Sequence, residues 1–461
     1  MTDDLFLEQL KEKLKKMNLF DLRQVAREVG VNQPTTGKKQ RLIDCVLAIA
    51  DGKLEPCEKS AYGAPVLNKN YDVQLVNAIK QHRAENINLN MSDLPEFKVC
   101  DNSPVNEEFT VKGILDSVEG KWLLCTDYNI TDGNCVFVSE AFVNKYRLKK
   151  GDLIEGSAKR KSPTEIAGLT LINYCNGLSP IEGRDRQDFG SYLPVYPDKK
   201  FNLSANGNIA GRVIDLVCPM GAGQRTLVAS PVGADRIRLL KDIAKAVSEG
   251  EQNAEVVFLL IDAHPEDCTE LKRSLNGVTV LGSTFEKGFA SHIRTANLAM
   301  ERAMRIAESG KDAVLIIDGF NYFALSNSGT SAKFSAGIDD FAINSVKKYV
   351  ACAKNTDSGA SLTIIASLTL GGAINDNIYN CLKDVFASQI NLSADLTLNH
   401  VYPPIDVSAS GTVGNEKFLT EEEIEASDKL RDIYKSCGAK AFLSYFKESA
   451  DNLQLINKLK D

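Results

Sequence analysis

A chain of 461 residues, 43% hydrophobic and 25% charged, has the composition of a folded protein with room for several domains and a sizeable core. A formal net charge of −7 excludes a surface that coats nucleic acid throughout, while leaving room for a local basic patch. Eleven cysteines, scattered from Cys45 to Cys437 without a C-x-x-C pair, argue against a disulfide framework or metal site and for reduced thiols. The acidic start Met1-Thr-Asp-Asp lacks a signal-type apolar core and no run reaches membrane-spanning length, so a cytoplasmic protein without a membrane partner is expected.

Residues 1–50 carry apolar positions at helical spacing (Leu14, Leu19, Leu22, Val25, Val29, then Leu42, Ile43, Val46, Leu47) and predict a small helical module. Residues 51–105, punctuated by Pro56, Gly63, Pro65, Pro95 and Pro104, read as a flexible connector. From 106 to 176 the pattern becomes short strands: Phe109–Gly113, Lys121–Cys125, Cys135–Ser139, Asp152–Gly156 and Gly168–Ile172. Five strands in so short a span predict a small barrel of OB type. Trp122 and Phe137 fall on consecutive strands, where aromatic side chains can stack on unpaired bases, and the basic run Lys145 to Lys150, with Arg147, follows. Equally, both rings can be core, because the strand register is not fixed by the pattern.

After an irregular linker (177–211), residues 212–461 alternate apolar strands with helical periods, the signature of a parallel α/β sheet. Expected strands are Thr226–Ala229, Val256–Asp262, Val278–Gly282, Ala313–Asp318, Ser361–Ser367 and Ile390–Leu398, and the tail from Thr420 is helical. The first of these strands runs through a turn containing Pro231 and Gly233 into an amphipathic helix. Strand, tight loop and helix is the arrangement that offers backbone N–H groups to phosphate. A P-loop would end in Gly-Lys-Thr or Gly-Lys-Ser, but here the residues are Asp235-Arg236-Ile237.

In this order the segments Gly211–Arg225, Leu259-Leu-Ile-Asp-Ala-His-Pro-Glu, Ser283-Thr-Phe-Glu, Gly359–Ala366 and Tyr402-Pro-Pro-Ile-Asp406 resemble the bacterial transcription termination factor Rho family. The resemblance covers most of the chain. It implies a multidomain α/β protein: a helical N-terminal module, a cold-shock-like barrel that binds RNA, and a P-loop ATPase-like domain with a parallel sheet. In that family the ATPase domain works in a ring and takes ATP with Mg²⁺.

The departures from the family pattern concern the chemistry. Aligned back from Leu239 and Leu240, the P-loop lysine falls on Arg236, the Mg²⁺-side hydroxyl on Ile237, and the glycine before them on Asp235, whose carboxylate has the wrong sign for a phosphate cradle. Aligned forward from Ala229, the lysine falls on Asp235 and the hydroxyl on Arg236, which fits worse. The catalytic glutamate falls on Ala263, the next arginine on His264, and the arginines that reach a neighbouring subunit's nucleotide on Ala394 and His400. Asp318 matches the Mg²⁺-side acid, but Gly319-Phe-Asn-Tyr322 replaces the family's sequence after it. In the ring's central channel, Lys333 and Lys383 match the loops that grip RNA.

The resulting expectation is a Rho-like, RNA-binding pseudo-ATPase that regulates or modifies termination, with no catalytic residues and no cofactor. Its partners would be single-stranded RNA and either active Rho subunits or polymerase-associated factors. Two alternatives stand beside it: an active RNA-dependent ATPase using ATP and Mg²⁺, with Arg236 in place of lysine, and an interaction scaffold that no longer binds RNA.

Overall fold

The computed structural model describes residues 3–31, 38–50, 75–76, 79, 107–118, 120–125, 135–161, 166–205, 207–328, 338 and 340–460. The chain divides into two compact units, Met1–Pro95 and Glu96–Asp461.

The first unit contains three helices, α1 (Asp3–Lys16), α2 (Leu19–Val29) and α3 (Lys39–Ala50). Asn18 caps α2 by accepting the Asp21 N–H, and Gly30 ends it in the left-handed region at φ 97°. Leu14, Leu22, Val25, Leu42 and Val46 meet in one core. Leu75, Val76 and Ile79 are buried in that same core, so the helical unit draws on residues of the span 51–105 that the sequence assigns to a connector.

The second unit begins with a closed barrel of strands β1 (Glu108–Val118), β2 (Lys121–Cys125), β3 (Cys135–Val138), β4 (Leu153–Lys159) and β5 (Gly168–Cys175), in the order β1-β2-β3-β5-β4. A short helix α4 (Glu140–Tyr146) connects β3 to β4. β1 is the device that closes it. Its first half pairs with β4 and its second half with β2, which is why the strand runs eleven residues and not the five that the pattern predicts.

Beyond α5 (Pro180–Asp185) the linker adds a short strand β6 (Pro194–Val195), and α6 (Ile209–Val217) leads into the α/β domain. Its strands and helices alternate: β7 (Arg225–Pro231), α7 (Arg236–Gly250), β8 (Ala254–Ala263), α8 (Pro265–Ser274), β9 (Thr279–Thr284), α9 (Phe289–Glu308), β10 (Asp312–Asp318), α10 (Phe320–Asn327), α11 (Asp340–Val350), β11 (Lys354–Thr356) and β12 (Ser361–Leu370). Then follow α12 (Ala373–Leu382), β13 (Ser388–Asn391), α13 (Ala394–Leu398), β14 (Gly411–Thr412), α14 (Glu421–Lys447) and α15 (Asn452–Lys460). The sheet runs β14-β13-β7-β12-β10-β8-β9, with β7, β12, β10, β8, β9 and β13 parallel and short antiparallel strands at its margins. All seven residues of β10 are buried, as expected of a strand covered on both faces. One face packs against α6, α7 and the C-terminal helices, the other against α9 to α12.

One expected strand is corrected. Ile390–Leu398 stays extended only to Asn391, because Ser393 accepts the Leu396 N–H and starts α13.

The barrel is bolted to α9 by buried ion pairs. Arg294 reaches Asp116 at 2.8 Å, and Arg186 clasps Asp152 at 2.7 and 2.8 Å while also reaching Glu308 at 2.9 Å. Arg302, 1% exposed, bonds Asn176 at 2.6 Å and Glu255 at 2.9 Å. At Gly151 (φ 86°) a Cβ would lie 2.5 Å from the Glu301 carbonyl carbon, so only glycine lets the barrel backbone approach α9 this closely.

Candidate nucleotide site and nucleic-acid surface

The parallel strands place the turn after β7 at the carboxyl edge of the sheet, where ligands of open α/β sheets bind. The turn Val232–Asp235 and the start of α7 line a pocket of about 270 Å³ that also includes Thr369. A larger cleft, about 920 Å³, lies at the opposite edge, where Arg225 opens β7. Its position at the amino ends of the strands makes it the poorer candidate despite its size.

Three backbone N–H groups at the end of the turn are spent on the protein itself. Ala234 N–H donates to the Pro231 carbonyl at 3.2 Å, Asp235 N–H to the Thr397 hydroxyl at 3.3 Å, and Arg236 N–H to the Ala234 carbonyl at 2.8 Å. A phosphate cradle needs such groups turned toward the ligand. Gly233, at φ 87°, supplies the left-handed turn. The Asp235 carboxylate makes no cap to the helix and lies 3.7 Å from Arg238, whose guanidinium rests 3.7 Å from the centre of the Tyr402 ring.

The central feature is Arg236. Its Nε donates to Asp318 Oδ1 at 2.5 Å, its Nη2 to Asp318 Oδ2 at 3.0 Å, and its Nη1 to the Thr369 hydroxyl at 2.9 Å. Asp318 also accepts the Ser367 hydroxyl at 2.8 Å and is 2% exposed. This is a forked, charge-assisted pair, the geometry in which arginine and carboxylate bind best. It ties the acid at the end of β10 to the first residue of α7, with Ser367 and Thr369 of β12 as supports. Ile237 packs its side chain against the hydrophobic core under α7. This set fits a Mg²⁺–nucleotide poorly: the carboxylate already accepts three protein donors, the cation is forked onto it, and no hydroxyl stands at position 237. Gly319, which follows Asp318, is required there, since a Cβ would lie 2.1 Å from the Ile261 carbonyl oxygen.

Among the described residues, the other expected positions make no hydrogen bond to this pair, and each has its own surroundings. Ala263 is buried at the end of β8, and His264 is exposed with its ring against Phe285. Beside them Asp262 adopts φ 57° and accepts a hydrogen bond from Tyr322, while burial pushes its carboxyl up from the usual range. Ala394 opens α13 half-buried, and His400 is exposed at φ 55°. Ser367, Thr369 and Thr397 are the site residues that sequence reasoning passed over. The available signal was polar residues at the end of the apolar run Ser361–Leu370.

On the barrel the register separates the two aromatics. Trp122 pairs with Val138 and Leu123 with Phe137, so Trp122 shares the face of Leu124, Val136 and Val138, which form the barrel core. Phe137 faces outward and is 41% exposed. Of the two rings expected to form a platform, Phe137 is presented outward and Trp122 packs against the barrel core, because successive strand residues point to opposite faces. The basic run divides in the same way. Lys149 is paired with Asp188 and Glu308, and Lys150 with Asp116 at 3.0 Å, which commits both to the α9 joint. Lys145, over the Tyr146 ring, and Arg147, which closes α4 at φ 48°, remain exposed. Lys383 is exposed after α12, near the Tyr379 ring, and Lys333 lies outside the described residues.

An OB-type barrel set before a P-loop ATPase-like α/β domain with a parallel sheet defines the class. Residues 210–412 match the ATP synthase alpha/beta family, nucleotide-binding domain. Transcription termination factor Rho of Micrococcus luteus is 32% identical over 370 residues, covering 76% of this chain and 52% of that protein. The Rho protein of Bacillus subtilis (strain 168) is 29% identical over 374 residues, covering 78% of this chain and 86% of that protein. Among solved structures, a prototypical ATPase from the type III secretion system of pathogenic bacteria overlays with a TM-score of 0.47 at 20% identity, covering 53% of this chain and 70% of that one. The chain belongs to the Rho family of homologues. It spans about half the length of the Micrococcus luteus and Streptomyces lividans proteins, 52% and 48%.

Proposed function

We propose that this chain is a Rho-like protein of transcription termination that binds single-stranded RNA and no longer hydrolyses ATP. It acts as a regulatory partner, of active Rho subunits or of polymerase-associated factors. The observation that carries this reading is the Arg236–Asp318 fork, with Thr369 as its third contact. Phosphoryl transfer needs a cation on the β/γ-phosphates, a metal held between a hydroxyl and an acid, and a group that positions water. Arg236 spends its fork on Asp318, Ile237 offers no oxygen, and Ala263 cannot orient water. RNA contact rests on Phe137, Lys145 and Arg147, which stay exposed on the barrel.

The test is ATP hydrolysis by the purified chain with and without C-rich single-stranded RNA, alongside RNA binding at low and moderate salt. A flat hydrolysis trace with salt-sensitive RNA binding is the expected outcome. RNA-stimulated turnover overturns the proposal and makes Arg236 a phosphate ligand that leaves Asp318 when nucleotide arrives. Absence of RNA binding at low salt turns the reading toward a pure interaction scaffold.

A further inference from the structure

Cys125 ends β2 and Cys135 opens β3, and the antiparallel register sets them directly opposite one another. Their Sγ atoms are 3.5 Å apart, and the residues are 0% and 6% exposed. Directly opposed antiparallel residues have Cα atoms about 4.5–5.5 Å apart, inside the range of about 4.4–6.8 Å that disulfides span. Small rotations of the two side chains suffice to bring the sulfurs to bonding distance. By strand alternation the pair lies on the outer face of the barrel, the face of Leu123 and Phe137. Cys125 also pairs with Ile114, which is buried in one cluster with Ala296 and Ala299 of α9. The two thiols therefore sit at the joint between barrel and α/β domain. Among the described residues no other two cysteine sulfurs are recorded in contact.

We propose that Cys125 and Cys135 form a modification site, closing to a reversible cross-strand disulfide by exchange with a low-molecular-weight disulfide. One thiol loses its proton to solvent and attacks a sulfur of the small disulfide, releasing one small thiolate and leaving a mixed disulfide on the chain. The second thiol, on deprotonation, attacks the protein sulfur of that mixed disulfide and releases the second small thiolate. The chain loses two protons and two electrons, and the small disulfide takes up both to become two thiols. The hydrogen-bonded Cys135 thiol and burial push the Cys125 thiol up, so exchange proceeds when the strand ends open and is slower than at exposed Cys437.

The full chain, freshly reduced, is incubated under native conditions with oxidised glutathione, then denatured, alkylated and mapped without reduction. The expected result is a cross-linked peptide joining Cys125 to Cys135, an unalkylated pair lighter by two hydrogens, and reversal by dithiothreitol. Cys135→Ser and, separately, Cys125→Ser abolish the cross-link while circular dichroism stays that of the parent. The proposal is overturned if both cysteines are recovered alkylated after Cys437 in the same sample has become a mixed disulfide, since the oxidant then demonstrably reached the chain.

Discussion

At the scale of single residues, the Arg236–Asp318 pair is an interaction whose parts are worth more together than apart. Asp318 is nearly buried, and the Arg236 side chain is 22% exposed. Removing one partner strands the other, at a cost of up to about 3–5 kcal/mol for a fully buried pair. With Arg236 partly in solvent, Asp318→Ala is expected to destabilise by about 2–3 kcal/mol, read as a lower urea midpoint at unchanged slope. Asp215 sets a pH dependence. Burial raises its carboxyl to about 6, against the lowering influence of the Leu203 and Ser204 N–H groups that it accepts. Because the folded value lies above the unfolded one, its contribution is complete below about pH 4 and is lost as pH rises to about 6, on the order of 3 kcal/mol. Asp215→Asn should flatten that part of the stability–pH curve. An unchanged curve would place the titration elsewhere.

At the scale of elements, Arg212 of α6 holds the C-terminal helices. It donates to the carbonyls of Phe446 (2.7 Å), Ser449 (2.7 Å) and Asp451 (2.8 Å), and to the side chains of Ser449 and Asn452. These carbonyls lie at the end of α14 and in the turn before α15, so one side chain satisfies carbonyls left over at the end of α14 and fixes the turn that leads into α15. Arg212→Ala should cost about 3–4 kcal/mol, in the range of a buried charged network, and should raise amide exchange in 440–460 before the sheet. Uniform exchange across the domain would refute that anchoring role. The sheet itself was legible from sequence because buried parallel strands are continuous apolar runs, as in Ala313-Val-Leu-Ile-Ile-Asp318. The α13 error has the opposite cause. Ile390 to Leu398 is apolar enough to read as strand, and only Ser393 signals the cap.

At the scale of the whole molecule, the barrel and the α/β domain meet through charges that sequence patterning leaves invisible. Lys149 and Lys150 look like a nucleic-acid patch because their partners, Glu308 and Asp116, are distant in the chain. Likewise the register that turns Trp122 inward and Phe137 outward depends on pairing across β2 and β3, not on composition. Two predictions belong here. Gly151→Val meets the α9 backbone and adds strain at φ 86°, so it should loosen the joint and split one thermal transition into two in calorimetry. Phe137→Ala should weaken single-stranded RNA binding by about 1–3 kcal/mol while Trp122→Ala should chiefly lower stability, the former read by titration and the latter by melting. Equal loss of affinity in both, with folding intact, would restore a shared platform.

The fork between α7 and β10 also bears on how such a chain can change over generations. Lysine at 236 alone would leave Asp318 facing an ammonium where a fork now sits, and alanine at 318 alone would strand the guanidinium. Each single change disturbs a settled contact, whereas a paired change at both positions can remove the charges together. The two positions behave as one inherited unit, in which drift at either is held in check by the other.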